Sequence, residues 1–185
     1  MRLALLGIGI VLLMIGGANG QTVNDPELVK QLQRLFPTAA SFSPRGGSPA
    51  VYKALGAASS GKTGEPLGFA YWTTEIEPLE RGFDGPIKML VGLNVAGLLT
   101  GVIVTDNREP YGYFSVDLPE FAAQFKNKNI RDGFKVGVDV DAISRATISV
   151  TSASRAIRNS SRKVARAYLT SPPGTPQATP AAAAQ

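Results

Sequence analysis

Residues 87–105 read IKMLVGLNVAGLLTGVIVT, and their pattern decides the architecture. Ile87, Met89, Val91, Leu93 and Val95 alternate with Lys88, Leu90, Gly92 and Asn94, the two-residue period of a strand. Ala96-Gly97 permits a tight turn into 98–105, so the stretch predicts an antiparallel hairpin with one face buried. Upstream, 67–76 is rich in aromatic and β-branched residues and reads as a further strand; downstream, 134–139 reads as a short one.

Helical patterns flank these strands. Asn24-Asp25-Pro26-Glu27 makes a helix start, after which Leu28, Leu32, Leu35 and Phe36 share one face until Pro37. Residues 119–125 predict a short helix with Phe121 and Phe125 on one side. Val150, Ala153, Ile157, Ser161, Val164 and Tyr168 recur at helical spacing, which predicts a helix over 149–169 that Pro172-Pro173 stops. Residues 41–50, rich in Pro, Gly and Ser, and the polar 127–133 read as loops. The expected fold is α+β: a twisted antiparallel sheet with flanking helices and a long C-terminal helix.

The ends differ in kind from the middle. Arg2, the apolar run 3–15 and the small residues Ala18-Asn19-Gly20 have the form of a secretory signal over 1–20, which predicts export to the periplasm. The alternative is an uncleaved anchor with peripheral membrane association, since 3–18 is just short of a membrane span. Residues 171–185 are almost entirely Pro, Ala, Thr and Gln and read as a disordered tail, leaving 21–170 as the one folded domain. At 44% hydrophobic and 18% charged residues, 185 residues suffice for a real core.

The chain has no cysteine and no histidine. Disulfides, thiolate metal sites, iron–sulfur clusters, C-x-x-C-H haem attachment and His-dependent triads are thereby excluded, and any redox role needs an organic cofactor. From Ala142 onward come Arg145, Arg155, Arg158, Arg162, Lys163 and Arg166 with no acid, whereas the whole chain carries +5. The basic character therefore belongs to one helix, as a solvated face or as a surface for phosphate or an acidic partner. No nucleic-acid partner is expected.

Three stretches invite a chemical reading. Residues 56–63, GAASSGKT, match the phosphate-cradling G-x-x-x-x-G-K-[ST] pattern, and 102–106 resembles its companion magnesium strand. That loop must join a strand to a helix, whereas Gly64, Pro66 and Gly68 follow here and then a strand, so a hairpin loop explains the segment better. Residues 109–113, EPYGY, carry an acid and two aromatics, suited to stacking on a planar ligand or to ordinary packing. Residues 141–152, DAISRATISVTS, place an acid and the hydroxyls of Ser144, Thr147, Ser149 and Thr151 at the start of the long helix. Such hydroxyls cap a helix or attend a phosphate bound at its N-terminus.

Taken in order, Leu35-Phe36-Pro37 with Phe42, Tyr52, Leu67-Gly68-Phe69, Gly82-Phe83-Asp84-Gly85-Pro86-Ile87, Leu90-Val91-Gly92, Glu109-Pro110, Pro119-Glu120 and Asp141-x-x-Ser144-x-Ala146-Thr147 resemble a known family. It is the FMN-binding domain of the flavin subunits of sodium-pumping NADH:quinone reductase and the Rnf complex, and of the periplasmic part of the membrane regulator of nitrous oxide reduction. The last resembles this chain most, and the resemblance spans residues 30–169. It implies that Thr147 carries FMN through a phosphoester, attached by a separate flavin transferase that uses FAD, with Asp141, Ser144 and Ala146 as motif neighbours. It further implies that Gly85, Pro86 and Ile87 lie beside the flavin and that Glu109 and Pro110 close over it.

Arg145 stands where the family has Gly, and Asn107 where the nearest relatives often have His. A Gly at position 145 would serve a positive φ or the approach of the transferase; Arg blocks these or pairs with the phosphate. The expected role is an exported electron carrier, not an enzyme, working between membrane electron-transfer proteins. The alternative is a flavin-free binding or regulatory module of a periplasmic respiratory assembly.

Overall fold

Asp25 begins the first helix by accepting the N–H groups of Glu27 (3.0 Å) and Leu28 (3.4 Å) on its carboxylate, with Pro26 in the first turn. In the computed structural model the described residues are 23–58 and 63–169. The expected signal segment 1–20, the tail 171–185 and the centre of the 56–63 motif lie outside them. Helix α1 (Pro26–Leu35) buries Leu32 and Leu35 and ends at Phe36, before Pro37.

Five strands follow in sheet order equal to chain order, each antiparallel to its neighbour: β1 (Ser41–Phe42), β2 (Tyr52–Leu55), β3 (Pro66–Trp72), β4 (Lys88–Asn94) and β5 (Leu99–Asp106). Three further helices are α2 (Thr73–Ile76), α3 (Pro119–Ala123) and the long α4 (Thr147–Tyr168). The architecture is α+β. The described flanks of the 56–63 motif are β2 and β3, which pair directly, with the Gly56 N–H donating to the Glu65 carbonyl at 2.9 Å. A strand, not a helix, follows the motif.

The central strands are covered on both faces, whereas the alternation in 87–95 had predicted one. Met89, Leu90, Val91, Gly92 and Leu93 are all buried. Met89, Val91 and Leu93 join Phe69, Tyr71, Phe121, Phe125, Ile157 and Val164 in one cluster; Leu90 joins Ala70, Tyr52, Leu32, Leu35 and Phe36 in the other. Helix α1 supplies the second cover, and small residues let it approach. Ala70, Gly92 and Gly101 are cross-strand neighbours, and a Cβ at Gly92 would lie 3.2 Å from Leu35 Cβ and Phe36 Cε2. Leu90, which the pattern placed with the polar set, therefore faces a second core.

Local differences have local causes. The strand expected over 67–76 stops at Trp72, because Thr73 turns its hydroxyl onto the start of β4, accepting the Met89 N–H at 3.2 Å. The expected loop 41–50 contains the two residues of β1, paired with β2 by main-chain bonds that its composition does not show. Residues 134–139 form no strand. There Asp139 accepts the N–H groups of Phe134 (2.9 Å) and Lys135 (2.5 Å), and Phe134 takes φ +52°. Partial burial opposes ionisation of Asp139, but those N–H groups and the charge of Lys128 outweigh it and hold its carboxyl below the usual range. The hairpin turn forms as expected, with Gly97 at φ +81° and the Asn94 side chain accepting the N–H groups of Ala96 and Leu98.

Helix α4 lies on the first cluster through small residues: Ser152, Ala153, Ala156, Ser160 and Ser161 are buried. Ser160 and Ser161 satisfy their hydroxyls on the carbonyls of Ala156 and Ile157, and the fully buried Tyr71 donates to Ser161 at 2.7 Å. Burial pushes the Tyr71 phenol far above its ordinary value, against a smaller downward pull from Ser161 and Ser160. A phenol whose pKa is raised on folding stabilises fully below its unfolded pKa of about 10 and loses that contribution as pH rises above it. Urea titrations above about pH 10 should therefore show stability falling with pH. Tyr71→Phe should make the fall shallower; an unchanged slope would show that Tyr71 does not titrate with unfolding.

Candidate functional site

The long helix starts without a side-chain cap. Its N-cap is the buried Ala146, and none of the hydroxyls in 141–152 takes the capping position expected of them. The residue before it, Arg145, has φ +68°, in the left-handed region that costs a side chain with a Cβ about 1–2 kcal/mol. This backbone turn swings the chain into α4 and presents the helix start, with its positive dipole end, to the surface. Thr147 and Ile148 are exposed there, while Ser149 points inward.

Ser149 donates its hydroxyl to Glu109. The Glu109 side chain, only 8% exposed, also accepts the N–H groups of Phe83 (3.0 Å) and Asp84 (3.1 Å). Three donors thus replace water around a buried carboxylate, the condition for keeping it there. The Glu109 N–H donates to Asn107 Oδ1 at 3.0 Å, and Asn107 Nδ2 donates to Asp117 at 2.6 Å, which fixes the loop after β5. Gly82 is where the carboxylate enters: a Cβ there would come within 2.7 Å of Glu109 Cδ. Gly85, at φ +127°, closes the 82–85 turn by accepting the Gly82 N–H at 2.7 Å.

These three segments enclose a pocket of about 270 Å³ lined by Phe83, Pro110, Tyr111, Arg145, Ala146, Thr147, Ile148 and Ser149. Its walls are aromatic and aliphatic, with Phe83 68%, Ile148 58% and Tyr111 43% exposed. Arg145 and Thr147 are the charged and the exposed hydroxyl-bearing residues of the lining. Among the four hydroxyls singled out in the sequence, Ser149 is committed to Glu109, Ser144 and Thr151 lie outside the lining, and Thr147 is exposed within it.

Of the sequence-predicted residues, Pro110, Arg145, Ala146 and Thr147 line the pocket and Glu109 lies beneath it. Gly85, Pro86, Ile87, Asp141 and Ser144 do not line it. Ile87 is buried in the main core, and Asp141 is exposed, its N–H donating to Gln124 at 2.7 Å. Sequence reasoning had not assigned Phe83, Ile148 or Ser149 to the pocket. Phe83 lay inside the quoted 82–87 motif, and its signal was an aromatic between two glycines. Tyr111, weighed as a stacking residue, is in the pocket; Tyr113 is outside it, edge-on to Phe114 with ring centres 4.8 Å apart.

Residues 82–162 match the family model described as the FMN-binding domain. Over this segment the chain is similar to that family. The match contains every residue that lines the pocket, and it points to a flavin as the ligand. A search of curated proteins found no match.

Removing the Glu109 carboxylate should loosen all three segments. Glu109→Ala should cost about 2–3 kcal/mol in urea unfolding and speed amide exchange at Phe83 and Asp84; unchanged exchange there would contradict the role given to Glu109. Arg145→Gly should raise stability by about 1 kcal/mol, as the left-handed conformation becomes free of strain. A loss of stability in the same urea assay would show that the Arg145 side chain contributes more than its backbone costs.

Proposed function

We propose that this domain carries FMN on the Thr147 hydroxyl through a phosphoester and serves as an electron carrier with no substrate of its own. The observation that carries the reading is Thr147 itself, an exposed hydroxyl in the pocket at the first position of an uncapped 22-residue helix. A phosphate there meets the helix dipole and unsatisfied N–H groups, and Arg145 lines the same pocket.

The lining fits FMN: Arg145 and the start of α4 for a phosphate, Phe83, Tyr111, Pro110 and Ile148 for a planar ring. A volume of about 270 Å³ is at the small end for ligand pockets, so a ring held here keeps an edge in solvent, as electron exchange with another protein requires. Bound flavin supplies the redox chemistry that a chain without Cys and His lacks. The chain's residues hold the phosphate, shield one side of the ring and leave the acceptor hydroxyl open to a transferase that uses FAD. Glu109 acts from below by holding the walls.

The departure at Arg145 is compatible with this reading. The residue adopts the positive φ that Gly takes without cost, so the backbone the motif needs is present. Gly85 and Pro86 act through the turn that carries Phe83, and Asp141, Ser144 and Ala146 through the chain entering α4. The signal-like 1–20 supports a periplasmic location, with membrane electron-transfer proteins as donor and acceptor. Among the described residues no helix is long and apolar enough to cross a membrane.

The protein co-produced with its flavin transferase and then denatured should retain yellow fluorescence on the chain, and Thr147→Ala should abolish it. A colourless wild type would contradict the carrier and support a flavin-free binding or regulatory module.

A further inference from the structure

The two flanks of α4 treat their cations differently. On one, Arg155 pairs with Glu80 and Lys163 with Glu77, each at 2.9 Å. On the other, Arg158 and Arg162 are held by main-chain carbonyls: Arg158 Nη1 reaches Gly133 O at 3.4 Å, and Arg162 donates to Ile130 O (2.8 Å) and Asp132 O (2.9 Å). Carbonyls fix a guanidinium without neutralising it. The nearby Asp132 carboxylate is engaged by the Asn129 N–H at 2.8 Å. Arg131 and Arg166 are exposed beside this flank and make no ion pair among those found in the described residues.

Between these cations lies a shallow concavity of about 540 Å³, where Ile130, Ala165 and Leu169 supply apolar surface and Arg131, Arg162 and Arg166 the rim. We propose that this concavity is a docking site for an acidic segment of a partner protein, one that seats an apolar side chain between flanking carboxylates. The Arg162 guanidinium is held in place and so recognises a carboxylate with little loss of side-chain freedom, while Arg131 and Arg166 add exposed positive charge on the rim. A hollow with apolar surface suits a protruding side chain better than a flat bilayer. The site begins roughly 22 Å along α4 from Thr147, at Arg162, and continues away from it, taking 1.5 Å per residue. A partner bound there leaves the pocket around Thr147 uncovered.

The test uses the full chain and a synthetic peptide of repeated Glu-Glu-Leu triplets at about 0.1 M salt, where distant charges are screened. The wild type should bind. Arg131→Gln with Arg166→Gln should weaken binding about five- to tenfold, and Arg155→Gln with Lys163→Gln, which removes the same charge from the paired flank, should change it less than about twofold. Circular dichroism checks that each variant is folded. The proposal fails if the wild type does not bind, if both pairs weaken binding equally, or if the chain prefers phosphatidylserine–phosphatidylcholine vesicles to the peptide. Flavin fluorescence is read separately, so the outcome does not depend on Thr147.

Discussion

Glu109 carries its carboxylate into the interior, where the Ser149 hydroxyl and the N–H groups of Phe83 and Asp84 take the place of water. A buried carboxyl group tolerates no missing partner, so the two segments that supply the donors and the one that supplies the acceptor constrain one another. The 82–85 turn, the loop after β5 and the start of α4 are distant in sequence and meet at this group. The pocket is the space left above it. Gly82 and the Asn107–Asp117 contact are consequences of the same constraint, one making room for the carboxylate and the other fixing the loop that carries it.

The scaffold that brings these segments together is a sheet covered on both faces. Small residues make this close covering work: Ala70, Gly92 and Gly101 under the end of α1 on one face, serines and alanines of α4 on the other. The buried serines return their hydroxyls to the helix backbone or receive one from Tyr71, so close packing leaves most of their polarity satisfied. A helix resting on the sheet in this way presents its first turn as a fixed surface. The exposed Thr147 hydroxyl inherits that rigidity, and the distal half of the same helix carries the uncompensated arginines.

Much of this was legible in the sequence where a local rule applied. The cap at Asp25, the Ala96-Gly97 turn, the packing side of Phe121 and Phe125 and the apolar spacing of α4 all follow from short-range patterns, and the structure has them. What depended on tertiary pairing was not legible. Leu90 looked like a solvent-side position because alternation cannot report a second cover, and the two residues of β1 carry no strand signal apart from β2. Residues 134–139 resembled a strand, but Asp139 has a stronger claim on the local N–H groups. At the site, hydroxyl density suggested caps, yet Arg145 turns the chain so that Ala146 takes the cap position. Ser149 could be counted as a hydroxyl but not matched with Glu109, forty residues away.

The central claim, that Thr147 is the residue bearing the flavin, is open to a direct measurement because arginines flank it. Trypsin cutting after Arg145 and Arg155 releases 146–155, and Ser144 falls on the preceding peptide. In protein made with its flavin transferase, the account predicts that 146–155 gains the mass of FMN less one water, with fragmentation placing the gain on Thr147. A gain on the peptide containing Ser144, or on another hydroxyl of 146–155, would contradict it.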